Sequence, residues 1–483
     1  MPGRWMRVRS FAVAAPKFLR SAIETPTRTA YCGVAAAVLG SGVLVRFGNL
    51  STVGLIGVAG SLCLTMLAIR PHLAEPDRRV WAAIAVLSGL GNVLYVVSGN
   101  ANFATNQAVQ IVLSLLLAGL AGAAAWLPAG RRAWLFLVGA GVALVALMLS
   151  TWVWGSVGID VFSALRGATS SLLHGHNPYV PTFSFYYEPT PLVGSRIDGH
   201  FQYGPIVPVL AAPGELLGDP RVMAGIAVVA LLAALWLLAR QGSQVANAHR
   251  VVALGLASPL TVGMVHMGWV DVYMMAALVG WLALRRSHRR WAVVCLAIAM
   301  LVKPTALIVL IPSFLWSRRA RIEMVIAGIV ATMFCVPFAL GVGIGQFLYD
   351  VIGIQLGLPP RYRALTITAY LWQHLGITES GSAAIAVVII SVVAICWRGR
   401  PRDEGDLAVQ AVALTIAGFL VAKWAFFNYY YISEAMLIAA IAGGGVMFAQ
   451  DDLALPWAPL LRMRLVVGIG DRVKGGLGLG AES

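Results

Sequence analysis

The chain has 483 residues, of which 59% are hydrophobic and only 11% charged, and its mean hydropathy of +0.82 excludes an ordinary soluble globule. A formal net charge of +15 could suggest a nucleic-acid partner, but the arginines stand in short clusters between apolar runs, so the charge is a topology signal and no nucleic acid is expected. The five cysteines, Cys32, Cys63, Cys295, Cys335 and Cys396, show no Cys-x-x-Cys pair and no metal-ligand spacing, so neither a disulfide framework nor a zinc site is expected.

Residues 1–29 carry several arginines ahead of the first apolar run without a clear cleavage site, and read as a retained cytoplasmic tail. Apolar runs follow at 30–46, 51–69, 80–98, 107–127 and 133–153, each near the ~20 residues of a spanning helix. They define a five-helix N-terminal membrane segment, 30–155. Arg70, Arg78 and Arg79 fall in one connection, Arg131 and Arg132 in another, and the positive-inside rule puts both in the cytoplasm. Asp160 therefore faces outward.

Residues 156–220 form the first large outer loop. A carboxylate at the mouth of a membrane helix is a functional candidate, with helix capping as the structural alternative. Beyond it, Val161, Leu165, Ala168 and Leu172 share one helical face, as in a helix lying on the bilayer surface. The stretch from Gly204 to Leu217 holds Pro205, Pro208 and Pro213 and must start and finish outside, which predicts a re-entrant or surface helix.

A membrane core, 221–341, comprises runs at 222–239, 251–265 and 272–284, a hairpin turning at Lys303-Pro304, and a further run at 324–340. Arginine clusters at 285–290 and 318–321 fix its inner turns. A second large outer loop spans 342–380. C-terminal helices occupy 381–449 with an outer turn at 423–431, and 450–483 is a cytoplasmic tail, glycine-rich from Gly468 to Gly480. The expectation is an all-α integral membrane protein of about 14 transmembrane helices, with juxtamembrane helices in two outer-face loops.

Polar residues outside the arginine clusters test this threading, and they collect on the outer side. Asp160, His176 and Glu188 belong to the first loop, His266 and Asp271 to the next turn, Lys303 to the hairpin, and Arg361 and Arg363 to the second loop; Lys423, Asn428 and Tyr429 close the ring. Only four of the 35 basic residues are lysines, and two of them, Lys303 and Lys423, stand at outer turns. A compact ammonium at such a turn suits a phosphate, whereas the bland alternative is snorkelling to the interface.

The order of these motifs resembles the GT-C superfamily of polytopic glycosyltransferases, and within it the bacterial polyprenyl-phosphate-mannose-dependent mannosyltransferases. The resemblance rests on Asp160 with its surface helix, Gly175-His176-Asn177-Pro178-Tyr179, Tyr203-Gly204-Pro205, the polar turn from His266 to Asp271, Leu301-Val302-Lys303-Pro304, and the aromatic turn from Phe426 to Tyr431. It runs from about Trp154 to Ile441. Two departures stand out: the outer Asp follows the fifth helix and not the first, and Asp271 is a single carboxylate where a paired acidic motif would favour a metal.

The resemblance implies a GT-C-like fold and transfer of a sugar, mannose before arabinose or glucose, from a polyprenyl-phosphate donor to a glycolipid, lipoglycan or other hydroxyl acceptor. Asp160 would be the general base of an inverting displacement. Lys303, Arg361 and Arg363 would bind the donor phosphate, and His176, Asn177, Tyr179, His266, Asp271, Lys423, Asn428 and Tyr429 the sugar or acceptor. No metal and no cofactor beyond the lipid-linked donor is expected; membrane lipids are the surroundings, and the outer face of a bacterial cell membrane is the expected location. The competing class is a polytopic transporter or lipid flippase, which would place polar groups near the bilayer midplane and show symmetry between halves.

Overall fold

The computed structural model describes residues 27–45, 49–69, 76–98, 106–154, 159–186, 196–354, 361–377 and 382–448. Most of both expected tails, Arg70 and Glu188 lie outside these residues. The N-terminal runs form α1 (Arg28–Leu44), α2 (Thr52–Leu67), α3 (Arg78–Ser98), α4 (Gln107–Trp126) and α5 (Arg131–Trp154). Next come α6 (Asp160–Leu173), strands β1 (Phe183–Tyr186) and β2 (Arg196–Gly199), and α7 (Ile206–Leu216). The core is α8 (Arg221–Ala239), α9 (Ala248–Ala257), α10 (Thr261–His266), α11 (Asp271–Leu284), α12 (Arg289–Val302), α13 (Ala306–Trp316) and α14 (Arg318–Val342). The chain continues through α15 (Ile344–Leu348), a π-helical turn (Tyr349–Gly353), α16 (Ile367–Leu375), α17 (Ser382–Arg398), α18 (Glu404–Leu420) and α19 (Phe427–Ala442).

Five of these helices, α3, α4, α5, α8 and α14, are long and apolar enough to cross a bilayer by themselves. Others are shorter: α11 has 14 residues and α13 has 11, rises of about 21 and about 16 Å against a hydrocarbon core of ~30 Å. One departure from an all-α chain is the antiparallel ribbon in the first loop, where Phe183 pairs with Gly199 and Ser184 with Asp198.

The N-terminal helices are not an appendage. Helix α1 packs on α2, α3 and α19, and α9 packs on α3, α4 and α5. Small residues permit this closeness: a methyl group on Gly89 of α3 would lie 2.6 Å from the Cα of Ala118 in α4, the small-residue contact by which membrane helices gain van der Waals packing.

The run expected as one helix over 251–265 is broken into α9 and α10 at Ser258-Pro259-Leu260. Proline supplies no N–H and cannot continue the helix. Its ring fits because Gly40 and Gly91 face it; a methyl group on either would come within 2.3 to 2.5 Å of Pro259 carbons. The buried Glu434 of α19 accepts hydrogen bonds from Ser258 and from the Leu260 backbone, so a carboxyl group satisfies polar groups that the break exposes.

An ionic cluster draws together one end of the bundle. Arg28 of α1 donates to Asp403 at 2.7 Å and also pairs with Asp406 of α18, while Asp403 accepts from the Gly445 N–H at 2.7 Å beyond α19. Arg285, at the end of α11, pairs with Glu404 at 3.1 Å and with Glu323 of α14 at 3.6 Å. Nearly all these side chains are buried, and each charge has an opposite partner, as burial requires. Helix α11 starts at Asp271 and ends at this cluster, and α12 runs back to Lys303; the polar residues considered next therefore occupy the opposite end of the bundle.

Candidate active site

At that end a narrow cleft of ≈ 40 Å³ is lined by Asp160, Gln202, Tyr203, Trp269, Lys303, Arg361, Trp424, Phe426, Asn428 and Tyr429, with Val161 beside them. Six separate stretches of chain meet here.

Asp160 is the first residue of α6, with Ile159 at the cap position. One carboxylate oxygen accepts from the Val161 N–H at 2.8 Å, and the other lies 3.7 Å from Arg361 Nη2. The carboxylate is thus more than a cap. Burial raises its pKa above the usual carboxylate value, while Arg361 and the backbone N–H groups pull it back.

Arg361 is held by its backbone. Its N–H donates to Lys423 O at 3.1 Å, and downstream Leu365 N–H donates to Ala425 O at 2.9 Å and Tyr430 Oη to Leu365 O at 2.5 Å. The same loop receives a bond from the N-terminal segment, Leu50 N–H to Arg363 O at 2.8 Å. Its guanidinium lies over Trp424 and Phe426, 5.6 and 5.2 Å from the ring centroids, as a planar cation does on an aromatic face.

Lys303 is the extended residue that ends α12 before Pro304. Its ammonium donates to Asp271 Oδ1 at 3.0 Å and stands 4.2 Å from the Tyr429 ring centroid. The other Asp271 oxygen accepts from Asn428 Nδ2 at 3.1 Å, so one buried carboxylate ties the starts of α11 and α19 to the end of α12.

The Tyr203-Gly204-Pro205 step fits against this lysine turn. Gly204 N–H donates to Val302 O at 3.2 Å, and a Cβ on Gly204 would sit 1.5 Å from Leu301 O. Only glycine allows the two backbones so close. Tyr179 holds the step from the other side: its hydroxyl donates to Tyr203 O at 2.6 Å, and its ring packs edge-on against Phe201, Phe338 and Phe347. Asn177 accepts from the Tyr179 N–H and donates to Phe338 O at 2.9 Å, anchoring the loop to α14.

Among the residues singled out from sequence, the cleft brings together Asp160, Lys303, Arg361, Asn428 and Tyr429, with Asp271 directly behind Lys303. His176 is exposed and does not line the cleft; Asn177 and Tyr179 brace the wall. His266 is buried with Nδ1 3.2 Å from the Tyr95 hydroxyl of α3, also outside the lining. Arg363 is exposed, and Lys423 enters through its backbone carbonyl. Sequence reasoning passed over Gln202, which carried no motif weight. It also passed over Asp219 and Arg221: they pair at 2.7 Å, Trp152 donates to Asp219 at 2.7 Å, and Arg221 covers Phe162 of α6.

Among the described residues no group of three or more His, Cys, Asp or Glu could hold a metal ion. A bundle of apolar helices thus ends in a cleft with one carboxylate, two cations and aromatic walls. Residues 201–431 match Glycosyltransferase family 87, a polytopic family of GT-C type, and the match supports a membrane glycosyltransferase. It takes in every lining residue except Asp160 and Val161, which join the site through the fold. No curated protein and no solved structure matches the chain.

Proposed function

We propose that the protein transfers mannose from a polyprenyl-phosphate donor to a hydroxyl of a glycolipid or lipoglycan at the outer face of a bacterial cell membrane, with about 14 crossings. The observation that carries this reading is the meeting of Asp160, Arg361 and Lys303 in one cleft beside aromatic rings. A base and cations for a leaving phosphate are what the reaction needs.

In the proposed reaction the acceptor hydroxyl gives its proton to Asp160 as its oxygen bonds to the anomeric carbon. The bond from that carbon to the phosphate oxygen breaks on the opposite face, and the lipid phosphate departs with the electron pair. A single displacement inverts the anomeric configuration. Base catalysis of this kind contributes ~10²- to 10⁴-fold, and cations preorganised around the phosphate stabilise its developing charge.

Asp160 and Arg361 face one another across 3.7 Å, beyond ordinary hydrogen-bond length. A phosphate entering the cleft competes for Arg361, and each step of Arg361 toward it leaves Asp160 more basic, because the guanidinium is what holds the carboxyl down against burial. Gln202, Trp269, Asn428 and Tyr429 supply the amide and aromatic groups that suit sugar hydroxyls and faces. The membrane setting fits a prenyl donor, whose anchoring gains roughly 0.8 kcal/mol per buried CH₂.

The reading is tested by supplying membranes containing the protein with radiolabelled polyprenyl-phosphate mannose and an envelope lipid extract, against the glucosyl and arabinosyl donors. Label entering new glycolipid from the mannosyl donor is expected. Preference for another donor would overturn the sugar assignment, and no transfer from any of them would overturn the function.

A further inference from the structure

A second polar opening lies at the far end of the bundle, away from the cleft, and it borders the buried ionic cluster at Glu323. A groove of ≈ 680 Å³ between α12 and α14 is lined by Arg289, Arg290, Arg318 and Arg319, with Val293, Ile322 and Ile326 below them and Glu323 at the back. Glu323 is already engaged by Arg319 at 2.9 Å, Arg285 at 3.6 Å and Trp281 at 2.8 Å, so it does not neutralise the rest. The guanidiniums of Arg289, Arg290 and Arg318 are exposed and make no hydrogen bond or ion pair among the described residues.

Their like charges repel one another across the groove. Arg289 and Arg318 are the first residues of α12 and α14, and neither helix has an acid in its first turn. A helix N-terminus already carries partial positive charge and favours an anion. Two such ends and three unpaired guanidiniums converge on one opening.

The apolar wall decides what kind of anion fits. Below the arginines, Ile322, Ile326 and Ile329 of α14 are 53%, 46% and 56% exposed, and they continue along a helix long and apolar enough to span. Trp291, 64% exposed in the first turn of α12, is the aromatic type that settles at headgroup level. A free phosphate would use the arginines and leave this track bare. We infer that the groove binds an anionic phospholipid, its headgroup phosphate on Arg289, Arg290 and Arg318 and its acyl chains along the Ile322–Ile326–Ile329 face of α14. Such a lipid would splint α12 and α14, and α12 is the helix that ends at Lys303.

The test uses the delipidated full chain in detergent, with thermal unfolding followed on adding phosphatidylglycerol, phosphatidylcholine or inorganic phosphate. Phosphatidylglycerol is expected to raise Tm in a saturable way, with little shift from the other two. The Arg289→Gln/Arg290→Gln/Arg318→Gln variant should need at least tenfold more phosphatidylglycerol for the same shift, whereas Arg131→Gln/Arg132→Gln, which removes exposed arginines elsewhere, should behave as wild type. An equal shift from phosphatidylcholine or inorganic phosphate, no shift from phosphatidylglycerol, or equal behaviour of the two variants would overturn the inference. Independently of any variant, a photoactivatable phosphatidylglycerol should label peptides containing Val293, Ile322 or Ile326; labelling elsewhere without these would also overturn it.

Discussion

Lys303 Nζ lies 3.0 Å from Asp271 Oδ1, with the two side chains 7% and 0% exposed, at the point where α12 ends and α11 begins. The lysine is thereby fixed in the cleft wall and not left to snorkel. Because a buried ion left alone costs far more than a buried pair, Lys303→Met should destabilise the protein by about 3–5 kcal/mol, and Lys303→Met with Asp271→Leu should recover most of that loss. Transfer activity should stay lost in both. Thermal unfolding in detergent and a transfer assay on the same preparations separate the two effects.

Gly204 sets the distance between the tyrosine step and the lysine turn. Alanine there must push its Cβ away from Leu301 O, which would otherwise be 1.5 Å distant, and so displace Tyr203 or Lys303. A displacement of ~1 Å in a reacting constellation can cost about 10²-fold in rate. The Gly204→Ala variant should lose activity on that order while still accumulating in the membrane. In contrast His176→Ala, an exposed change outside the cleft, should retain wild-type kcat/KM.

Asp160 must be ionised to accept a proton, so activity is present above its pKa and lost as pH falls through it. Burial places that acid limb above the ordinary carboxylate range. Arg361→Gln removes the chief opposing charge, and the limb should move to higher pH in addition to any loss of donor binding. The pH dependence of kcat/KM in wild type and variant reads this directly; a limb that stays in place would remove Arg361 from its influence on Asp160.

The far ionic cluster should matter for folding and not for chemistry. Arg28→Ala leaves the buried Asp403 without its cation and Asp406 with Arg402 alone, and should cost about 3–5 kcal/mol, whereas Asp77→Asn, in a pair at 3.9 Å with side chains 58% and 47% exposed, should change stability by less than about 0.5 kcal/mol. Chemical denaturation in detergent distinguishes them.

Much of this arrangement was legible because hydrophobic length and arginine position act locally. The first five runs appear as α1 to α5 with ends within a few residues, and the turn at Lys303 falls where the helix breaker puts it, whereas the outer turn expected over 423–431 is confined to residues 421–426 because α19 already begins at Phe427. Parity between arginine clusters also anticipated that Asp160, Lys303, Arg361, Asn428 and Tyr429 would gather at one end. What remained hidden depends on contacts distant in sequence. Pro259 sits in an apolar run, and the carboxyl group at its break comes from Glu434. Asn177 and Tyr179 look like ligand contacts in a polar loop, yet their partners are Phe338 O and Tyr203 O. Gln202 has no local signal at all.

The most direct test of the central claim is transfer by Asp160→Asn, compared with wild type at equal expression and at a pH above the acid limb, with the anomeric configuration of the wild-type product determined. The account predicts that substitution lowers kcat by ~10²- to 10⁴-fold with donor binding retained, and that the wild-type product is inverted. Near-normal turnover by the Asn variant, or a product with retained configuration, would contradict it.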